Sequence, residues 1–423
     1  MKRFSKVMSL LVGSCLVVSV GLSGCGSSDS KQASSSESTA ASTATASTAT
    51  EPVKEVTYKV GYFSEQYTST YEKACEGIEK VLPGVKVEPM MYPTDKDYWD
   101  NLPAQVAAGT APDLAAMTNE KYLDFISNGL MLPLDESVVD LSKLQKQAVD
   151  AWKIDGKLYG VPLTAQPEAF IINMDMWNAA GLKELPKTLE DVKAAAKVLT
   201  KDGVKGICIP DAEFHLTQYA LAFGGGWGFG KTIDTPQNAQ ALQFLIDLYK
   251  EGVAITPKQA GLGWDGEVFA KGKCAMSTGG TWYIATLKEM APDINYKMIP
   301  LPQGTTNGST LHSIAIGVLK TAKDPEVAAK IAAYLVREEV QETVVKDAGA
   351  PPSSIAISDQ YFANDPIVKD LKPVLAYAQP FAYPAAGQKF TEALIKGFDE
   401  AIYDKDSKKT GADIVKEVQA LFN

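Results

Sequence analysis

The sequence predicts a two-lobed α/β protein, each lobe a mostly parallel sheet flanked by helices. Three observations predict it. Strand and helix patterns alternate in β-α-β-α-β order from Val56 onward. The alternation resumes in the middle of the chain. The stretch from about Val53 to Asn423 is also too long for one simple core.

Val56, Tyr58, Val60 and Tyr62 recur at the period of a strand. A helical stretch follows and ends at Pro83-Gly84, and Val85–Met91 reads as the second strand. A helix around Tyr98–Ala108 stops at Gly109, and Leu114–Met117 is a short buried strand. Further on, Ala169–Asn173 reads as a strand. Thr188 caps a helix with Leu189, Val192, Ala195, Ala196 and Leu199 on one face, and Asp191 is placed for a capping box. Val204–Ile209 is a strand, and Thr235-Pro236 opens a helix that Gly252 ends. Lys273–Thr278, Tyr296–Ile299 and Ser313–Leu319 are strands, the last feeding a helix opened by Asp324-Pro325-Glu326. The C-terminal third is largely helical.

Lys2, Arg3 and Lys6 precede an apolar run from Val7 to Leu22. A short basic start and an apolar stretch of this length predict an export signal rather than a spanning helix. The run ends in Leu22-Ser23-Gly24-Cys25, which resembles the lipobox of bacterial lipoproteins. That resemblance implies removal of residues 1–24 and a lipid on Cys25. Residues 26–50 are mostly Ser, Ala, Thr and Gly, with too little apolar surface to offset the entropy of ordering them. Residues 25–52 therefore read as a lipidated tether. No other apolar run is long enough to span a bilayer, so the reading is an exported protein held on the outer face of the cell membrane.

The formal charge is −10, and removing residues 1–24 takes away Lys2, Arg3 and Lys6 with no acid. So acidic a body lacks the clustered Lys and Arg that nucleic acid demands. Cys75, Cys208 and Cys274 have no disulfide or zinc spacing and read as small apolar side chains. His215 and His312 are the only histidines, too few for a histidine metal cluster. Gly225–Thr232 matches the phosphate-loop pattern G-x-x-x-x-G-K-[ST]. That pattern works only where a helix begins at the lysine. Asp234-Thr235-Pro236 starts a helix just beyond it, so the segment reads as a glycine-rich surface loop. No nucleophile elbow is present, and neither histidine has a readable Ser or Cys partner. Carboxylates are abundant, but nothing marks out a glycosidase pair.

Tryptophans are more informative. Trp99, Trp152, Trp177, Trp227, Trp264 and Trp282 all lie in or beside predicted loops or helix starts. Aromatic faces stack on sugar rings while amides and carboxylates take the hydroxyls. Trp152 and Trp177 sit in amphipathic helical contexts and read as lobe anchors. Trp99 and Trp227 stay open between cleft and core, and Trp264 joins the candidate set. Trp282 follows Gly279-Gly280-Thr281, where glycine would let a ligand approach the backbone and a helix start would offer free N–H groups.

Gly272-Lys273-Cys274-Ala275-Met276-Ser277-Thr278-Gly279-Gly280-Thr281-Trp282 resembles a G-K-A-A-M-x-x-x-G-x-W segment of extracellular solute-binding proteins of the sugar-binding type, which serve ABC importers. Gly109-Thr110-Ala111-Pro112-Asp113, Gly156-Lys157-Leu158-Tyr159-Gly160-Val161-Pro162 and Pro186-Lys187-Thr188-Leu189 resemble further segments of that family, in the same order. The resemblance implies two lobes joined by a hinge, with ligand in the cleft between them. One lobe would be 53–164 plus 311–358, the other 165–310 plus 359–423. It places Glu65, Gln66 and Tyr67 after the first strand, Asn119, Glu120 and Lys121 after the third, and Gln166 and Glu168 past the first crossover. Phe214 and His215 start a helix, Trp282 matches the family's stacking tryptophan, His312 lies at the second crossover, and Tyr383 sits in a C-terminal loop. Gly61-Tyr62-Phe63 stands where many members carry a tryptophan.

The expectation is a monomeric, lipid-anchored receptor that captures an oligosaccharide and hands it to a membrane permease, with no cofactor, no metal and no catalysis. Arg3 and Arg337 are the only arginines, so an arginine clamp on a sugar acid or peptide is unavailable. The same fold with another solute, or an anchored carbohydrate-active enzyme, are the competing readings.

Overall fold

The computed structural model describes residues 55–422. The expected export signal, Cys25 and the tether lie outside the described residues. Two sheets build the body. In the first, Val85–Tyr92, Val56–Phe63, Leu114–Thr118, Ile314–Leu319 and Met131–Leu132 lie side by side, and Val161–Pro162 also pairs with Ile314–Leu319. The second runs Ala254–Ile255, Lys205–Cys208, Cys274–Gly279, Ala169–Asn173, Tyr296–Ile299.

Each sheet is mixed rather than mostly parallel. The strands reached through flanking helices pair in parallel. Ile314–Leu319 and Ala169–Asn173 pair antiparallel with their neighbours. Both arrive from the other lobe, so they enter at the crossover edge, where the parallel strands finish. Those finishing ends are where open α/β sheets place their binding loops.

Local sequence accounts for the elements. Tyr58, Val60 and Tyr62 turn inward on the first strand. Ala169–Asn173 is buried throughout, because its faces serve two cores. Phe170 and Ile172 join one cluster with Ile207, Ile209 and Met276. Ala169 and Ile171 join another with Cys208, Phe269 and Tyr283. A strand covered on both faces carries a continuous apolar run. Thr188 and Asp191 form the expected capping box of the helix Leu189–Leu199. Thr235 caps the helix Pro236–Lys250, and Gly252 beyond it has φ 73°.

The chain passes between lobes at three adjacent places. Gln166–Pro167 pairs antiparallel with Leu311–His312. Thr164 bridges to Pro352, and Ala165 N donates to Pro351 O at 2.9 Å. Ser358, the expected end of the first lobe, falls inside the helix Ile355–Asn364, whose Phe362 packs in a cluster with Ala169, Ile171 and Tyr283.

The glycine-rich loop has no helix through Lys231; the next begins at Pro236. Among the described residues no helix is long and apolar enough to cross a membrane.

Candidate functional site

Loops at the finishing ends of the parallel strands meet the crossover ribbon and enclose two cavities that share Glu120. The first, about 340 Å³, is lined by Phe63, Gln66, Tyr67, Glu120, Gln166, Trp282 and His312, with Ser64, Asp95, Thr118, Ser313 and Ile314. The second, about 390 Å³, is lined by Trp99, Glu120, Lys121, Asp124, Glu213 and Tyr383, with Asp100, Pro103, Phe125, Gly387, Gln388 and Thr391 beyond them. Both draw on both lobes.

Trp282 caps the helix Tyr283–Met290 and is half-buried. Its glycines act differently from the expectation. A Cβ on Gly280 would come within 2.1 Å of the Trp282 ring, and one on Gly279 within 2.3 Å of the Tyr283 ring. They make room for the chain's own aromatics rather than for ligand. The helix start is also occupied: Tyr283 N donates to Gly280 O and Ile284 N to Thr281 O. The Trp282 ring is held edge-on to His312, with centroids 5.0 Å apart.

His312 ties the floor together. Its Nδ1 lies 2.8 Å from Glu120 Oε1 and its Nε2 3.6 Å from Glu168 Oε1. Phe214 and Phe381 present their rings to it at 5.4 and 4.7 Å. Burial opposes the imidazolium, but the bond to Glu120 and the charges of Glu120 and Glu168 outweigh it and push its pKa up to about 9. Burial likewise opposes the Glu120 carboxylate, yet His312 brings its pKa below the usual value. Glu168, wholly buried, goes the other way: burial raises its pKa more than His312 lowers it. Its second oxygen accepts from Thr310 Oγ1.

Behind this floor His215 is fully buried, 3.9 Å from Glu168 and 3.8 Å from Asp265. Burial, then the charge of His312, hold its pKa well below the ordinary value. Burial raises Asp265 to about 7 against the bond that Tyr283 donates to it. Across the second cavity, burial also raises the Glu213 carboxyl. Asp124 accepts from Gly387 N at 3.0 Å, a bond between the lobes.

The structure gathers Gln66, Tyr67, Glu120, Lys121, Gln166, Trp282, His312 and Tyr383 on the cavity walls. The other expected residues stand apart. Glu65 points to solvent on a short 3-10 turn. Asn119 is buried and pins the crossover, donating to Leu311 O and accepting from Ser313 N. Glu168 and His215 lie behind the floor, Phe214 backs His312, and Trp264 packs on Tyr283 at 5.3 Å. Of the open tryptophans, Trp99 lines the second cavity, whereas Trp227 is fully buried and donates to Thr217 Oγ1. Sequence reasoning missed Asp95, Asp124 and Glu213. Asp95 follows the second strand, a finishing end that merited the same scrutiny as the first and third. Glu213 directly precedes Phe214. Asp124 carried no signal.

A family model described as bacterial extracellular solute-binding protein matches residues 66–370. The chain belongs to this family. Membership in the extracellular solute-binding proteins implies a place outside the cytoplasm. Among curated relatives, the galactooligosaccharide-binding protein of Bacillus subtilis is 24% identical over 84% of this chain and 81% of its own. The maltotriose-binding protein of Pyrococcus abyssi is 25% identical over 82% and 79%. Among solved structures, the ABC substrate-binding protein Lmo0181 from Listeria monocytogenes, in complex with cycloalternan, superposes with TM-score 0.75 at 24% identity, covering 88% of this chain and 98% of that one. The GacH receptor of Streptomyces glaucescens, solved unliganded and in complex with acarbose and an acarbose homolog, gives 0.72 at 22%, covering 86% and 97%. These solute-binding folds have two lobes, as this one does.

Proposed function

We propose that this solute-binding protein is the oligosaccharide receptor of an ABC importer. The observation that carries the reading is the first cavity: one tryptophan, fixed edge-on to a histidine, faces a space also lined by Glu120, Gln166 and Gln66. An aromatic face beside carboxylate and amide groups suits a ring that is apolar on its face and hydroxylated on its rim. The relatives named for oligosaccharides support the same reading. Contacts from both lobes favour the closed state once ligand is bound, and a permease can read that closure. The lobes divide at 164, 310 and about 354. The receptor acts as a monomer, and Cys25 with the segment 26–52 holds it on the outer face of the membrane.

Calorimetry of the tether-free protein against malto-, galacto- and chitooligosaccharides, with the recovered sugars weighed, tests the central reading. Saturable binding with unchanged sugar is expected. Binding with shortened products would make the protein an enzyme, and no binding to any series would remove the sugar. For the anchor, a Cys25→Ala protein is expected to leave the membrane fraction. Retention at the wild-type level after signal cleavage would overturn lipid attachment.

A further inference from the structure

Phe229 is the one exposed aromatic among the described residues, at 43% exposure. Its backbone is left-handed, φ 55° and ψ 36°. A bulky residue there carries strain that glycine would not, and it stands among Gly226, Gly228 and Gly230, all with positive φ. Strain of this kind persists only where the surroundings over-determine it. They do here. Asn238 Oδ1 accepts from Gly226 N, and its Nδ2 donates to Gly226 O, Thr232 O and Ile233 O. Gln419 Nε2 donates to Gly230 O. Trp227, two residues before Phe229, is sunk in the core.

The loop is fastened to a wall of the cleft. Phe229 N donates to Ala382 O at 2.8 Å, and Gly230 lies against Pro384. Tyr383, between those two, lines the second cavity and meets Thr217 Oγ1 at 3.4 Å. Ala382 (φ 49°) and Ala386 (φ 64°) are also left-handed, and Ser64 (φ 71°) lines the first cavity. Of the five other left-handed non-glycine residues among the described residues, two, Ser64 and Ala382, thus line the first cavity or bond to Phe229's loop.

We propose that Phe229 is an outer platform of the ligand site: an oligosaccharide too long for the two cavities passes Tyr383 and lays a further ring on the Phe229 face. The inference rests on the receptor reading and makes the ligand a chain rather than a mono- or disaccharide. Each cavity taken alone lies at the lower end of the usual size for ligand sites, so the units of a long chain beyond those the two can seat extend outside them. An aromatic face held open to solvent suits a pyranose face.

Phe229→Gly suits the left-handed backbone and removes the ring, so it is expected to fold, and Phe229→Tyr keeps a face. Calorimetry with a disaccharide and a hexasaccharide of whichever malto-, galacto- or chito-series the wild type binds reads the result. The glycine variant should lose about tenfold in hexasaccharide affinity, the size of one aromatic contact at about 1.4 kcal/mol. Its disaccharide affinity should stay within about twofold, and the tyrosine variant should match wild type. Equal losses at both lengths would overturn the platform, as would no loss at either. Unchanged affinity with impaired uptake in cells would assign the loop to the permease instead. A wild type that binds none of the sugars would remove the receptor reading and this inference with it.

Discussion

Two segments of the second lobe join glycines to a tryptophan and look alike in sequence, Gly225-Gly226-Trp227 and Gly279-Gly280-Thr281-Trp282. Their fates are opposite. Trp227 is fully buried, 5.2 Å from Phe390, with its N–H satisfied by Thr217. Trp282 is half-buried and faces the first cavity. The difference lies in the chain immediately C-terminal to each ring. After Trp227 the chain turns through left-handed Gly228, Phe229 and Gly230, and Asn238 fastens Gly226 before the ring and Thr232 and Ile233 beyond the turn. After Trp282 a helix begins at once, and Gly280 accepts the ring against the backbone at the cleft edge.

Truncating both rings should separate the roles. Trp227→Ala is expected to cost about 3–5 kcal/mol of stability, as buried tryptophans do, while sugar affinity of the folded fraction stays near wild type. Urea unfolding with parallel calorimetry checks this, and unaltered stability would break the contrast. Trp282→Ala should do the reverse, losing about 2–4 kcal/mol of binding, or roughly 30- to 1,000-fold in affinity. Affinity within about threefold of wild type would move Trp282 to the core side of the comparison.

Asn238→Ala sharpens the first half. It removes the acceptor of Gly226 N and a donor to the carbonyls of Gly226, Thr232 and Ile233; Gly226 O keeps Thr232 Oγ1 and Ile233 O keeps Thr235 N, so the expected cost is about 1–3 kcal/mol. A lower urea midpoint with unchanged disaccharide affinity is expected; equal stability would mean that the loop does not depend on this side chain.

The last test concerns the floor under Trp282. The His312 pKa is raised on folding from 6.5 to about 9. A raised histidine stabilises the fold fully below the unfolded pKa, so this contribution is complete below about pH 6.5 and is lost as pH climbs through about 9. The melting temperature should therefore fall over that window, and His312→Gln should flatten the fall. A wild-type profile that rises there would show that His312 is not held as a cation.

Much of this was legible in the chain. The paired strands and helices, the Thr188 and Thr235 caps and the exclusion of a phosphate loop rest on period and capping chemistry, which act within a few residues. Glu120, Gln166 and Trp282, which the family resemblance had placed in the cleft, line the first cavity. Asp124 was not legible, since its bond to Gly387 spans 263 positions. The mixed sheets were missed for the same reason: strand direction depends on which lobe the chain arrives from.

By itself, the sequence determined the alternation of elements, the strand at Ala169–Asn173 and the family motifs, because each rests on neighbours along the chain. Tertiary structure decided that Trp227 is core and Trp282 is wall, that Asn119 and His215 support rather than line the cleft, and that Phe229 stands exposed. Those outcomes depend on burial, and burial is set by whatever distant segment lands on a side chain.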